Sequence, residues 1–269
     1  TTYTLTATKD GCTITDDVRV TVDNVINLTV NPTTASICQG ESVTFVANGA
    51  DTYTWSPATG LNTTTGNTVI ATPTTTTTYT LTGTTTCDTD DITVTVNVTP
   101  VPGDPTVFGN GVWNAYCYDG NNFNVYQGMY TETDLSFDSR GDWGINNSPS
   151  DHPSYAGCAI PTDQHSVSYK RTNFTCGYYQ IDISNHDDHA FLFVDGVEVF
   201  SFLGCCTSHT NVWTGYLGPT STVEFRWREF GGGSHGGLNI TELSSTLAFT
   251  SPDVTICETS TTTLTATLA

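Results

Sequence analysis

The densest chemistry in the 269-residue chain lies in six consecutive residues, Ser184-Asn185-His186-Asp187-Asp188-His189. Two adjacent carboxylates offer hard oxygen donors of the kind a divalent cation such as Ca²⁺ takes. Neighbouring side chains on a straight strand point to opposite faces, so Asp187 and Asp188 can share an ion only where the backbone kinks. Asn185 marks a place where a kink is tolerated. The competing reading is that the two acids merely solvate a turn, because a calcium site gathers six or more oxygens.

Other side chains suit ligand contact. Trp143, Tyr155 and Trp213 offer flat apolar faces on which a sugar can stack, although aromatics at this density also fill sandwich cores. His235 lies in the glycine-rich run Gly231-Gly232-Gly233-Ser234-His235-Gly236-Gly237. Arg226 and Arg228 share one strand face and suit a cross-strand pair with Glu224 or a neighbouring Asp. All six histidines fall between 152 and 235, yet no CxxC or HxxxH spacing accompanies them, which argues against zinc. There is no GxSxG, HExxH or phosphate-binding loop, and adjacent Ser234 and His235 do not make a nucleophile and base. The chain therefore reads as a binding protein and not an enzyme.

The elements that must hold these residues are strands. Gly177–Ile183 alternates, the acidic stretch follows, and Ala190–Val194 is a second strand that turns at Asp195-Gly196 into Val197–Phe200. Ser221–Phe230 alternates again and runs into the glycine-rich loop. This order of acidic pair, apolar strand, Val-Asp-Gly turn, apolar strand, aromatic strand and Gly-Gly-Gly loop resembles a PA14-type β-sandwich, a module of bacterial and fungal surface adhesins and glycosidases. The resemblance covers about 60 residues. In adhesin members paired aspartates hold Ca²⁺, and the ion holds sugar hydroxyls. The resemblance thus implies a calcium site at Asp187 and Asp188 and a surface glycan as partner, with His186 and His189 departing from the family pattern.

The flanks have a different composition. Threonine occurs 34 times in residues 1–100, 11 times in 101–240 and 10 times in the last 29, and Thr is favoured in strands and poor in helices. Residues 77–98 (TTYTLTGTTTCDTDDITVTVNV) repeat 1–22 (TTYTLTATKDGCTITDDVRVTV), and 256–269 echoes 37–50. Residues 1–24 therefore read as the back half of a repeat, 25–99 as a complete one, 100–106 as a proline-rich linker, 107–247 as the sandwich just described, and 248–269 as the front half of a further repeat. A repeat of about 75 residues with about seven short strands suits an immunoglobulin-like sandwich with Trp55 in its core. The wording ICQGESVTFVANGADTYTWSPATGL resembles the Ig-like or PKD-like repeats of giant Bacteroidetes surface proteins, including gliding-motility adhesins. The expected fold class is all-β: tandem Ig-like sandwiches flanking a larger PA14-like one.

Nine cysteines in such a chain imply an oxidising, extracellular setting. Cys38 and Cys87 are expected to pair within the complete repeat, leaving Cys12 and Cys257 unpaired. Among Cys117, Cys158, Cys176, Cys205 and Cys206 the sequence leaves connectivity open; the pairing expected first is Cys158–Cys176, with Cys117 bonded to Cys205 or Cys206.

Charge excludes one class of partner. Seven Lys+Arg stand against 27 Asp+Glu, a net charge of −20, and no cation occurs between Arg19 and Arg140. Nucleic acid, which needs clustered cations, is excluded as a ligand. No apolar run is long enough to span a membrane. The expectation is a segment of a long secreted cell-surface filament or adhesin, whose partners are glycans and other repeats of the same chain. Two alternatives are a Ca²⁺-dependent carbohydrate-binding module and an ice-binding or self-assembling fibre built on the ladder Thr78, Thr80, Thr82, Thr84 and Thr86.

Overall fold

The computed structural model describes residues 1–21, 26–143, 148–244, 247–249 and 266–268. It divides into two units, Thr1–Thr99 and Pro100–Ala269. Strands dominate both, and the only helical pieces among the described residues are 3₁₀ turns at Ser139–Gly141 and Pro149–Asp151. The chain is all-β, and no described helix is long and apolar enough to cross a membrane.

In the first unit β1 (Thr2–Lys9) and β2 (Cys12–Arg19) form a hairpin closed by Asp10-Gly11. Both turn residues have positive φ, 49° and 82°, as a two-residue turn of the primed type requires. Seven strands follow: β3 (Thr29–Asn31), β4 (Thr34–Cys38), β5 (Val43–Asn48), β6 (Thr52–Ser56), β7 (Thr68–Ala71), β8 (Thr77–Thr84) and β9 (Thr89–Thr99). They form a sheet β3-β5-β7 and a sheet β4-β9-β8-β6, with β4 parallel to β9. Every second residue points inward, so Phe45, Ala47, Val69, Ala71, Tyr79, Leu81, Val94 and Val96 build one core. Trp55 belongs to it, its ring 5.8 Å from that of Phe45. Burying each large apolar side chain of this kind is worth roughly 1.5–3 kcal/mol. Thr78, Thr80, Thr82 and Thr84 alternate onto the outward face of β8, whereas Thr86 lies beyond the strand in the turn.

The second unit has β10 (Gly109–Asn110), β11 (Trp113–Asp119), β12 (Val125–Glu132), β13 (Phe137–Asp138), β14 (Ala156–Gly157), β15 (His165–Thr172) and β16 (Gly177–Asp187). After these come β17 (His189–Val194), β18 (Val197–Phe202), β19 (His209–Leu217), β20 (Val223–Arg228), β21 (His235–Ser244), β22 (Leu247–Phe249) and β23 (Ala266–Leu268). A large sheet runs β14-β12-β11-β15-β20-β17-β18, with β10 beside β15, and a smaller one runs β13-β21-β16-β19. One core lies between them, with Trp113, Tyr169, Phe225, Trp227 and Leu192 from the large sheet and Ile181, Ile183 and Leu238 from the small one. β17 and β18 meet at Asp195-Gly196, both with positive φ (49° and 77°).

The cysteine pairing differs from expectation. Cys38 lies opposite Thr99 at one end of β9, while Cys87 sits in the turn before Thr89 at the other. Ten residues of extended strand separate those ends by about 30 Å, far beyond the roughly 4.4–6.8 Å between Cα atoms that a disulfide spans. Cys205 and Cys206 are bonded to each other. Cys117 instead points into the core from β11, its thiol donating to the Ala115 carbonyl at 3.6 Å. Cys176 is an exposed free thiol just before β16 in the small sheet, whereas Cys158 follows β14 at the edge of the large one, so these two do not pair. Cys12 is free and exposed, as expected. Cys257 and most of the expected half-repeat 248–269 fall outside the described residues.

Candidate functional site

β16 belongs to the small sheet and ends at Asp187, while β17 belongs to the large sheet and begins at His189. Asp188 is thus the single residue by which the chain passes from one sheet to the other, and the Asp187–Asp188 peptide bond is cis. Its surroundings fix it tightly: its N–H donates to the Arg228 carbonyl, its Oδ2 accepts the Phe230 N–H at 2.9 Å, and its carbonyl is 2.7 Å from His186 Nδ1.

Glu229 completes the site. β17 pairs with β20 so that His189 faces Arg228, and the residues preceding His189 and following Arg228 therefore meet at the same end of the sheet. One oxygen each of Asp187, Asp188 and Glu229 lie within 4.8 Å of one another. Glu229 is 0% exposed, and neither of its carboxylate oxygens has a partner at full hydrogen-bond geometry, although the Gly231 N–H lies near enough to act on the carboxylate. Burial first, then the charges of Asp187 and Asp188, push the Glu229 carboxyl up to about 8, with the Gly231 N–H acting in the opposite direction. Burial and Asp188 push Asp187 up to about 6.

No described cation neutralises the three acids. His235 Nδ1 stands 4.0 Å from Asp187 Oδ2, but burial holds this imidazole, like that of His186, below its ordinary range and favours the neutral form. Buried carboxylates are ordinarily paired or bound to a metal. Three oxygen ligands at this spacing, one of them fully buried with both oxygens unused, fit a hard divalent cation.

The Cys205–Cys206 disulfide packs on this site. Cys205 Sγ touches Asp187 Oδ1 at 2.9 Å, and the Cys206 N–H donates to the His186 carbonyl at 3.1 Å. Being bonded to each other, these sulfurs are not metal ligands. A second group, Glu132, Asp142 and His152, is close enough for a metal but chemically unsuited. His152 Nδ1 accepts the Ser154 N–H at 3.1 Å, so the neutral ring carries its proton on Nε2, 3.3 Å from Glu132 Oε1. A nitrogen carrying that proton has no lone pair to give an ion.

The residues singled out from sequence separate here. Asp187, Asp188 and His235 come together. Trp143 does not stack on a ligand: it is 3% exposed and packs against Tyr130, Trp227 and His165 in the core. Tyr155 donates its hydroxyl to the Cys158 carbonyl at 2.6 Å and leans on the same core. Trp213 is half-buried on β19, opposite Ile181 in the register. Glu229 was missed, although a signal existed. Val223, Phe225, Trp227 and Glu229 form one inward-facing series, so the alternation that fills the core places a carboxylate at its end.

No protein-family model matches the chain, and no curated protein matches it. Among solved structures, a PA14 sugar-binding domain from an RTX adhesin is similar over 50% of this chain and 91% of its own, at 14% identity and a TM-score of 0.39. The PA14 domain of an antifreeze protein is similar over 53% and 87%, at 11% identity and a TM-score of 0.39. A Bacteroides uniformis β-glucuronidase is similar over 82% of this chain and 30% of its own, at 11% identity and a TM-score of 0.31. Likeness at these values carries no argument about what this chain binds or does.

Proposed function

We propose that the second unit is a Ca²⁺-dependent carbohydrate-binding module, displayed outside the cell by Ig-like spacer repeats of which residues 25–99 are one, within a long surface filament or adhesin. The observation that carries this reading is Glu229, a fully buried carboxylate with no described cationic partner, beside Asp187 and Asp188. Three carboxylates supply up to six oxygens to an ion that accepts six to eight and readily takes water or hydroxyl oxygens for the remainder. The ion would neutralise the trio and present open positions to vicinal sugar hydroxyls. The resemblance of the surrounding strands to PA14-type adhesin modules supports the same assignment.

Glu229 is placed to hold an ion and not to protonate a sugar. A general acid must come within hydrogen-bond reach of the glycosidic oxygen, and Glu229 at 0% exposure does not reach a sugar. The Cys205–Cys206 bond suits an extracellular setting.

Calorimetric titration of CaCl₂ into the EDTA-stripped chain tests the proposal, followed by glycan-array binding with and without chelator. One calcium site is expected in the wild type and none in Glu229→Gln, with glycan binding lost in EDTA. Calcium binding unchanged in Glu229→Gln, or glycan binding indifferent to chelator, would overturn it.

A further inference from the structure

Asp188 is not the only place where the chain changes sheets beside the three acids. The loop from β18, at the edge of the large sheet, to β19, at the edge of the small one, does so too. The registers set the two crossings side by side, since Phe202 at the end of β18 faces Ala190 and His209 at the start of β19 faces Ile183. Both ends of the loop rest on one ring. The His186 centroid lies 5.6 Å from that of Phe202 and 5.1 Å from that of His209, and Phe202 and His209 meet at 4.7 Å. The Cys206 N–H, donating to the His186 carbonyl at 3.1 Å, holds the middle. Between these anchors the loop faces water: Leu203 is 72% exposed, and Cys205 and Cys206 are exposed.

A disulfide between neighbours is a poor staple. The stabilisation a cross-link brings grows with the length of chain it closes, and the Cys205–Cys206 bond closes two residues. What the bond does is remove two thiol protons and join two polarizable sulfurs into one small apolar surface. That surface stands against the acids, because one carboxylate oxygen of Asp187 and both sulfurs lie within 4.8 Å of one another.

Glu229 is sealed in the interior and Asp187 is nearly so. An ion held by the trio therefore meets solvent where its neighbours are exposed. These are the disulfide, next to Asp187, and Phe230, 43% exposed, whose N–H donates to Asp188 Oδ2. Two ligand oxygens on one calcium ion are at most about 5 Å apart, so a hydroxyl that completes the coordination brings its carbon skeleton within van der Waals reach of the sulfurs. Neither the sulfurs nor the Phe230 ring is a strong hydrogen-bonding group. The part of a sugar that suits them is an apolar C–H face.

We propose that the Cys205–Cys206 disulfide is the apolar wall of the sugar subsite: a pyranose that gives vicinal hydroxyls to the ion lays a C–H face on the two sulfurs, with Phe230 on the Asp188 side. The assignment rests on the reading of Asp187, Asp188 and Glu229 as the calcium site of a glycan-binding module, and it adds that the ligand is a ring and not any vicinal diol.

The test is calorimetry of the full chain in calcium, with methyl α-mannopyranoside, methyl β-galactopyranoside and glycerol as probes, on the wild type and on the double variant Cys205→Ser, Cys206→Ser. Calcium uptake is expected to be the same in both proteins. At least one pyranoside should bind the wild type and lose about tenfold in affinity in the variant, and wild type reduced with a dithiol should lose as much. Glycerol, which offers vicinal hydroxyls without a ring face, should bind both forms alike. Overhauser contacts in NMR between the β-protons of Cys205 and Cys206 and the pyranoside ring protons give a readout that needs no variant. No calcium uptake by the wild type would overturn the calcium reading and this assignment with it. With calcium uptake intact, pyranoside affinity unchanged in the variant, glycerol weakened in parallel, no Overhauser contact, or binding of neither pyranoside at millimolar concentration would each overturn the assignment alone.

Discussion

The two units fill their interiors differently. In the first, every described buried side chain is apolar, whereas all the buried polar and charged side chains, among them Asp187, Glu224, Glu229 and three histidines, belong to the second. Every described buried side-chain nitrogen or oxygen without a hydrogen-bond partner is also in the second unit. An apolar interior maximises stability per residue, and unpaired buried carboxylates lower it. The contrast fits the proposed division of labour, in which the first unit is support and the second holds the ligand.

The sharpest test of that contrast is to break the support alone. Trp55→Ala should destabilise the first unit by about 3–5 kcal/mol, and Leu81→Ala by about 2–5 kcal/mol, because both leave cavities in a closed apolar core. Calorimetry should show one transition moving down while the other, with calcium uptake, stays in place. Movement of both transitions would show that the division of labour is wrong.

A smaller effect, of opposite sign, is expected at Glu229. Its folded pKa of about 8, and that of Asp187 at about 6, lie above the ordinary carboxylate values. Without calcium the folded state therefore holds protons that the unfolded chain has released, and stability falls as pH rises from about 4.5 toward 8. His165 acts the other way: burial holds it at about 4, so its contribution is lost as pH falls from the ordinary imidazole range. Comparing Glu229→Gln with wild type isolates the carboxylate. In EDTA the variant should be no more stable than wild type near pH 4 and more stable by about 1–3 kcal/mol at pH 8. With calcium the order should reverse, because only the wild type gains from the ion. A variant less stable at pH 8 in EDTA would mean that Glu229 has an internal partner.

Much of this was legible in the sequence, for identifiable reasons. Period-two alternation is a local property, so β8, β9, β16, β17 and β20 follow from it, as does the positive-φ turn at Asp195-Gly196. Asp187 and Asp188 were legible because they are adjacent. Glu229 is 41 positions away from Asp188 in the sequence and joins it only through the β17–β20 register. The cysteines failed for a similar reason. Pairing Cys38 with Cys87 ignored the parallel β4–β9 ladder, which sets Cys38 against Thr99 instead. Trp143 was weighed as a ligand platform because nothing local distinguishes a core tryptophan from a surface one.

The smallest expected effect lies within the first unit, where nearly one wording serves two hairpins. Thr1–Thr6 and Thr77–Thr82 are identical, yet Leu81 is 0% exposed and Leu5 is 71% exposed. Their turns also differ. Asp10-Gly11 closes β1 onto β2 with Tyr3 opposite Val18, whereas the longer turn between β8 and β9 sets Tyr79 opposite Val94. The repeat alignment makes Val18 the counterpart of Ile92, so the two registers differ by two residues. A two-residue shift keeps each side chain on its face, so β1 and β2 retain an apolar stripe of Tyr3, Leu5, Ile14 and Val18, but all four are exposed. Leu5→Ala removes the same atoms as Leu81→Ala and should change stability by less than about 0.5 kcal/mol, since little of the Leu5 surface leaves water on folding. Thermal unfolding of the two variants side by side checks this. A loss at Leu5 approaching that at Leu81 would mean that the exposed stripe is covered in solution by a surface like the one β5 and β7 offer in the complete sandwich.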